Sequence, residues 1–286
     1  MPPMKPFLTY PEQLRKLRER GCVIADENHA LQILAQVNYY RLSAYLLPFK
    51  NGDETYRAGT TFQRVYQIYE FDRRLRLILF AALEEVEIFL RAKLSFYHAQ
   101  KYGAGGYWDA RNFNARHRHQ VFIEHLKKEI AKHKAVPFVA HHLEKYGGEF
   151  PLWVAVEIFT FGMLSRFYAD MPLCDQQKFA KETFNATPSV LESWLRCGAT
   201  LRNICAHYGR LYFQLFSVIP AAIVVADNAK RRLWAMMLCL RRLYPDEAKW
   251  HRQILPAIES VVIEYADDID LRHLGFPENW TNLLRR

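Results

Sequence analysis

From Thr61 to about His98 the chain contains no glycine or proline, and its apolar residues recur at helical spacing. Val65, Tyr69, Leu75, Leu79, Leu83, Val86, Leu90 and Leu94 fall on the side such a helix would bury. Thr60 or Thr61 supplies a cap at its start. The run is either one long helix or two separated by a kink near Phe71 and Asp72. Only 12 glycines and 13 prolines in 286 residues leave further long stretches uninterrupted, which favours an all-α fold. Half of the residues are hydrophobic and 14% aromatic, so a folded globule is expected and disorder is excluded. No shift in composition divides the chain, and residues 1–286 read as a single helical domain.

Shorter helices are expected on either side. Pro11 opens a basic one over 12–20, and Gly21 stops it. Asp26 caps a second, whose Leu31, Ile33, Leu34 and Val37 lead into Tyr39, Tyr40 and Arg41 before Pro48 ends the helix. Further helices are predicted over 120–134, from Trp153 onward with Gly162 inside it, over 222–244 and over 254–265. Ser189 to Arg196 leads toward residues 201–212, and whether Gly198 interrupts the helix between them stays open. Residues 1–10 are proline-rich and read as a loose arm. Residues 101–119, with Gly103, Gly105 and Gly106, read as loop. Trp280, close to the end, suggests that the tail docks on the body.

The stretch 201–212 reads Leu-Arg-Asn-Ile-Cys-Ala-His-Tyr-Gly-Arg-Leu-Tyr. Taken as a helix at about 100° per residue, it separates into faces. Leu201, Ile204, Cys205, Tyr208 and Tyr212 make an apolar stripe. Asn203, His207 and Arg210 form a solvent-facing row opposite, with Arg202 at the border. Gly198, Ala206 and Gly209 leave a shallow trough where another helix or a phosphate could approach. Arginine grips a phosphate through two parallel hydrogen bonds. Histidine exchanges a proton with a ribose hydroxyl near neutral pH. Together with an amide, these residues make a plausible kit for cutting RNA, whereas an isolated Arg-x4-His is common on helix surfaces.

Arg202-x4-His207, with Asn203 directly after the arginine, resembles the Arg-x4–6-His signature of HEPN ribonucleases. The longer string is similar to the corresponding motif of abortive-infection (Abi) proteins, the AbiD/AbiF-like group. Two other stretches carry the same resemblance. One is Val-Asn-Tyr-Tyr-Arg-Leu-Ser-Ala-Tyr-Leu at 37–46; the other is Pro-Leu-Trp-Val-Ala-Val-Glu at 151–157, continuing to Thr-Phe-Gly-Met-Leu-Ser at 160–165. Tyr212 stands where such proteins often carry tryptophan. The resemblance implies a HEPN-like core built from helices at about 61–98 and 191–217. It also implies metal-independent endoribonuclease chemistry with no cofactor. His207 would serve as acid or base, Arg202 would hold the strained phosphate, and Asn203 would orient the phosphate or the histidine. The products would be a 2′,3′-cyclic phosphate and a 5′-hydroxyl. The setting would be an antiphage toxin, acting as a homodimer and restrained by a small RNA or protein antitoxin.

Other residues carry two readings each. Glu84, Glu87 and Arg91 make a polar row on the long helix. Glu87 and Arg91 form an ordinary intrahelical ion pair, or else lie beside the Arg202/His207 helix and orient it. Arg91-x6-His98 also fits the broad HEPN spacing but lacks the polar residue after the arginine. Glu157 either ties down an arginine or a helix end, or takes part in catalysis. Arg231 and Arg232, with Lys230, and the pair Arg241 and Arg242 are a solvated face or phosphate contacts. Tyr39, Tyr40 and Tyr45 are core aromatics or base-stacking platforms, and the 101–119 segment is a connection or a single-strand contact. Six histidines between His117 and His142 raise the question of a metal, which no HExxH or paired-cysteine spacing supports.

The net charge of +9, with basic residues interleaved among aromatics, calls for an anionic partner and favours RNA over a membrane surface. The 5 scattered cysteines and the missing apolar leader fit a reduced, cytoplasmic protein. The most apolar window, 215–226, is broken by Pro220 and too short to span a bilayer. A non-catalytic RNA-binding module is the alternative to a ribonuclease, and a metal-dependent histidine enzyme is a third class.

Overall fold

The computed structural model describes residue 4 and residues 6–285, so part of the expected proline-rich arm (residues 1–3 and 5) lies outside the described residues. Three short helices, α1 (Tyr10–Glu19), α2 (Glu27–Gln36) and α3 (Tyr39–Ser43), precede the uninterrupted run. That run folds as one helix, α4 (Phe62–Tyr102), of 41 residues and about 60 Å. The Thr61 hydroxyl accepts from the Arg64 amide at 3.1 Å to start it, and Gly103 ends it at φ 80°. Phe71 and Asp72 lie inside α4, fully buried, where a break had been conceivable.

The middle of the chain supplies α5 (His119–Lys132), α6 (Pro137–Lys145), α7 (Leu152–Ala155), α8 (Phe161–Asp170) and α9 (Leu173–Phe184). The apolar helix expected from Trp153 onward is two helices. α7 tightens into a 3₁₀ turn (Val156–Ile158), and Thr160 then caps α8 by accepting from the Met163 amide. Gly162 therefore belongs to the first turn of a new helix rather than the interior of an old one.

α10 (Pro188–Ala206) is the central helix and packs against α4, α8, α9 and α11 (Leu233–Leu243). Its Leu191, Leu195, Leu201 and Cys205 are buried, each such leucine contributing about 1.5–3 kcal/mol. Gly198 does not interrupt it. A Cβ there would stand 3.0 Å from the Phe161 ring and 3.3 Å from Leu243, so the missing side chain lets α8 and α11 close on α10. The trough where another helix or a phosphate could approach is thus occupied, at Gly198, by α8 and α11 of the same chain.

α10 stops at Ala206, well short of the expected end at 217. The helix expected over 222–244 is also shorter: residues 222–232 are loop with a 3₁₀ turn (Asp227–Ala229), and only α11 is α-helical. α12 (Glu247–Lys249) runs through a π-helical turn (Trp250–Ile254) into α13 (Leu255–Glu264), which packs on α4. The tail docks as expected. Trp280 in α14 (Trp280–Arg285) is buried, and the Trp250 indole donates to the Leu284 carbonyl at 3.0 Å. The fold is all-α: among the described residues only two isolated bridges, Val23 with Thr61 and Lys50 with Tyr56, have β character. No helix among them is long and apolar enough to cross a membrane.

Candidate functional site

The chemistry-bearing string straddles the end of α10 instead of continuing it. Asn203 accepts from the His207 amide through its carbonyl, Tyr208 turns left-handed at φ 57°, and the Gly209 amide returns to the Ile204 carbonyl at 2.7 Å. A Cβ on Gly209 would stand 2.9 Å from the Ile204 side chain, so only glycine allows this return. The solvent row is therefore Arg196, Thr200, Asn203 and His207, spaced along the last turns of α10. Arg210 does not belong to it. Its guanidinium donates to the Ala44 carbonyl, and burial lowers its pKa. Tyr208 is no part of an apolar stripe either, because its ring is 69% exposed beside His207. Tyr212, after the turn, is buried and donates to or accepts from His273 Nδ1 at 2.8 Å.

The turn is fixed by one buried carboxylate. Asp72 accepts from the Tyr45 hydroxyl at 2.7 Å, Arg76 at 2.8 Å, the Leu211 amide at 3.1 Å and the Tyr212 amide at 2.7 Å. Burial pushes its carboxyl up, while the arginine and the other donors pull it down. Arg76 also reaches the Gly209 carbonyl at 3.2 Å, and Arg41 donates to the Tyr208 carbonyl at 2.7 Å. A cleft of about 410 Å³ beside the turn is lined by Asn38, Tyr40, Arg41, Ala44, Tyr45 and Arg210. Of the three tyrosines near 40, Tyr45 is core, Tyr39 is half-buried and Tyr40 is 85% exposed.

Arg202 lies behind the exposed row. Its Nε donates to Glu87 Oε2 at 3.1 Å, and the other oxygen of Glu87 accepts from Arg91 Nη2 at 2.5 Å. Both readings of the α4 row therefore hold at once: Glu87 and Arg91 pair within the helix, and the pair meets α10. Arg91 continues to the Val156 and Phe159 carbonyls, at the two ends of the 3₁₀ turn that follows α7. Those carbonyls receive the arginine, whereas the Glu157 side chain between them faces solvent, contrary to the role expected for it. Glu87 is 6% exposed, and Arg202, which meets it through Nε, retains 29% of its side-chain surface.

The remaining candidates are scattered. Arg231 donates through Nε to the Phe216 carbonyl, Arg232 to the His273 carbonyl, and Arg241 to Glu247 while lying over the Trp250 ring. These guanidiniums have structural partners; Arg242 is exposed. His98 has no exposed surface and neither ring nitrogen has a hydrogen-bond partner, so Arg91-x6-His98 makes no accessible site. No group of three or more His, Cys, Asp or Glu among the described residues is arranged to hold a metal ion. The element sequence reasoning missed is Asp72 with Arg76. Their signal was a charged pair four residues apart on the apolar side of the long run.

All three motif blocks thus meet around one end of α10. The 37–46 block holds the turn from one side through Arg41 and Tyr45. The 151–165 block takes Arg91 from the other and seats Phe161 on Gly198. Fold and site together define an all-helical protein with an arginine, an amide and a histidine gathered where its central helix ends. The family model described as Abi-like protein matches residues 32–213, which contain all three blocks, and the chain belongs to that family. No curated protein and no solved structure matches it.

Proposed function

We propose that this Abi-like chain is a metal-independent endoribonuclease that acts in abortive infection. The observation that carries the reading is the Arg91–Glu87–Arg202 chain, which fixes a partly exposed guanidinium beside the exposed Asn203 and His207. Arg202 binds a phosphate oxygen through its guanidinium, with Glu87 and Arg91 as positioning residues. His207 exchanges a proton with the ribose 2′-hydroxyl or the leaving 5′-oxygen, a contribution of about 10²–10⁴ in rate. Asn203 donates to the phosphate as charge accumulates. Tyr208 and Tyr40 offer exposed rings on which unpaired bases stack. The resulting ends are a 2′,3′-cyclic phosphate and a 5′-hydroxyl. In its host the enzyme is held in check by a small RNA or protein antitoxin, and it works as a homodimer.

The test is cleavage of a labelled RNA by the purified chain with EDTA present, followed by analysis of the ends. Cleavage should persist, yield cyclic phosphates and fall at least a hundredfold in Arg202→Ala and in His207→Ala, with helical content retained in both and the melting temperature unchanged in His207→Ala. RNA binding without new ends would instead make the chain a binding module. Loss of cleavage in EDTA alone would make it a metal-dependent enzyme.

A further inference from the structure

A cavity of about 1030 Å³ lies between the start of α5 and α8, and none of the α10 end residues lines it. Arg116 faces Glu192 on α10, which stands roughly 22 Å along that helix from His207. The cavity is at the upper end of the size range of small-ligand sites.

Its walls are built, not incidental. Asn114 pins the 114–118 loop to α8: its amide donates to the Asp170 carbonyl, and its side chain to the Ala169 and Met171 carbonyls. Asp170, 5% exposed at its side chain, accepts from Arg166 Nε at 2.9 Å and from His117 Nδ1 at 2.9 Å. The His117 side chain is 3% exposed and stacked on Phe113 at 4.0 Å, and its Nε2 lies 3.2 Å from His119 Nδ1. With Nδ1–H given to the carboxylate, His117 Nε2 accepts from His119, which leaves His119 Nε2 directed away from the chain of hydrogen bonds.

The lining is strongly one-signed. Arg116, Arg118 and Arg166 contribute three permanent positive charges, against the one carboxylate of Asp170, which Arg166 and His117 already engage. The Arg116 and Arg166 side chains are 68% and 60% exposed; Arg116 meets Glu192 only at 4.0 Å, and Arg166, which gives Nε to Asp170 and Nη2 to the Arg116 carbonyl at 3.3 Å, keeps Nη1 for a ligand. Val121, Phe122 and Met163 provide an apolar wall beside Gly162. Three guanidiniums beside an aromatic and a thioether suit a ligand that joins a phosphate to a flat ring.

We infer that this cavity is a second binding site, for a nucleoside phosphate, separate from the α10 site. The phosphate sits among Arg116, Arg118 and Arg166, and the base lies against Phe122 and Met163. The ligand is either a free nucleotide or one nucleotide of an RNA chain; the two share the same chemistry.

Isothermal titration of the full chain tests this, with adenosine 5′-monophosphate and a 2′-O-methyl oligoadenylate as probes. Wild type and His207→Ala should bind the monophosphate equally. The Arg116→Gln/Arg118→Gln variant should lose at least tenfold, while Lys127→Gln/Lys128→Gln, an equal charge change on exposed α5 positions, should lose less than twofold. Val121→Glu, which places a carboxylate in the cavity without disturbing Asp170, should match the arginine variant. If the oligonucleotide competes with the monophosphate, the cavity takes an RNA nucleotide; if both bind at once, it takes the free nucleotide. Absence of monophosphate binding to wild type would overturn the inference, as would equal losses in the arginine and lysine variants. A loss in His207→Ala would return the ligand to the α10 end.

Discussion

Tyr208 holds a left-handed backbone at φ 57° with its ring largely in solvent, a combination that costs an L-residue about 1–2 kcal/mol. The turn keeps it there because Arg41 binds its carbonyl and Asp72 binds the amides of Leu211 and Tyr212. A position that wants asparagine or glycine thus displays an aromatic beside His207. Tyr208→Asn should therefore raise stability by about 1 kcal/mol in urea unfolding, yet lower the affinity for single-stranded RNA severalfold, since one base–aromatic stack contributes about 1–3 kcal/mol. A variant that is both more stable and undiminished in RNA affinity would remove the ring from the site. At this scale Arg202, Asn203 and His207 were legible because their residue types state their chemistry. The contact from Arg202 to Glu87 was legible only as one of two readings, and Arg210 was misassigned because spacing alone assumed the helix continued.

Helix ends are where the elements departed from their sequence pattern. α4 was readable because nothing in it breaks a helix, whereas α10 ends at Ala206 in a turn closed by Gly209, which looked like one more small residue of a trough. Its role depends on how near Ile204 lies, which periodicity does not report. Toward the far end of α4, His98 is enclosed by Tyr102, Phe113 and Phe167, and burial drives its pKa down to about 4. The folded protein resists protonating this ring while the unfolded chain accepts the proton near pH 6.5, so the unfolded state binds more protons between those values. Stability from this residue is complete above pH 6.5 and is lost as pH falls toward 4, by up to about 3 kcal/mol. His98→Leu should flatten that part of the urea-unfolding profile between pH 7 and 4.5. Parallel profiles for the variant and wild type would show that His98 does not titrate against folding.

Across the whole molecule, the long α4 leaves one side uncovered. Leu77 and Ile88 are 58% and 57% exposed, and with the exposed Ala81 and Ala92 they form a stripe of about 22 Å interrupted only by Glu84. Glu87, adjacent to Ile88, is the residue that holds Arg202, so the stripe borders the end of α10. Each chain brings a single Arg202/His207 set, whereas cyclising cleavage calls for both a base and an acid. A two-fold pairing of α4 stripes would bring two such sets to one groove. The small-residue trough offers a second copy less room, because Gly198 is covered by Phe161 and Leu243. Leu77→Glu/Ile88→Glu should convert a sedimenting dimer into a monomer and reduce cleavage with it. Subunit exchange gives the independent measure. When wild type is mixed with an Arg202→Ala/His207→Ala variant and exchange is verified, activity should follow the square of the wild-type fraction. A linear fall would mean that each chain cuts RNA alone, and a monomeric wild type would leave the α4 stripe without a second copy to cover it.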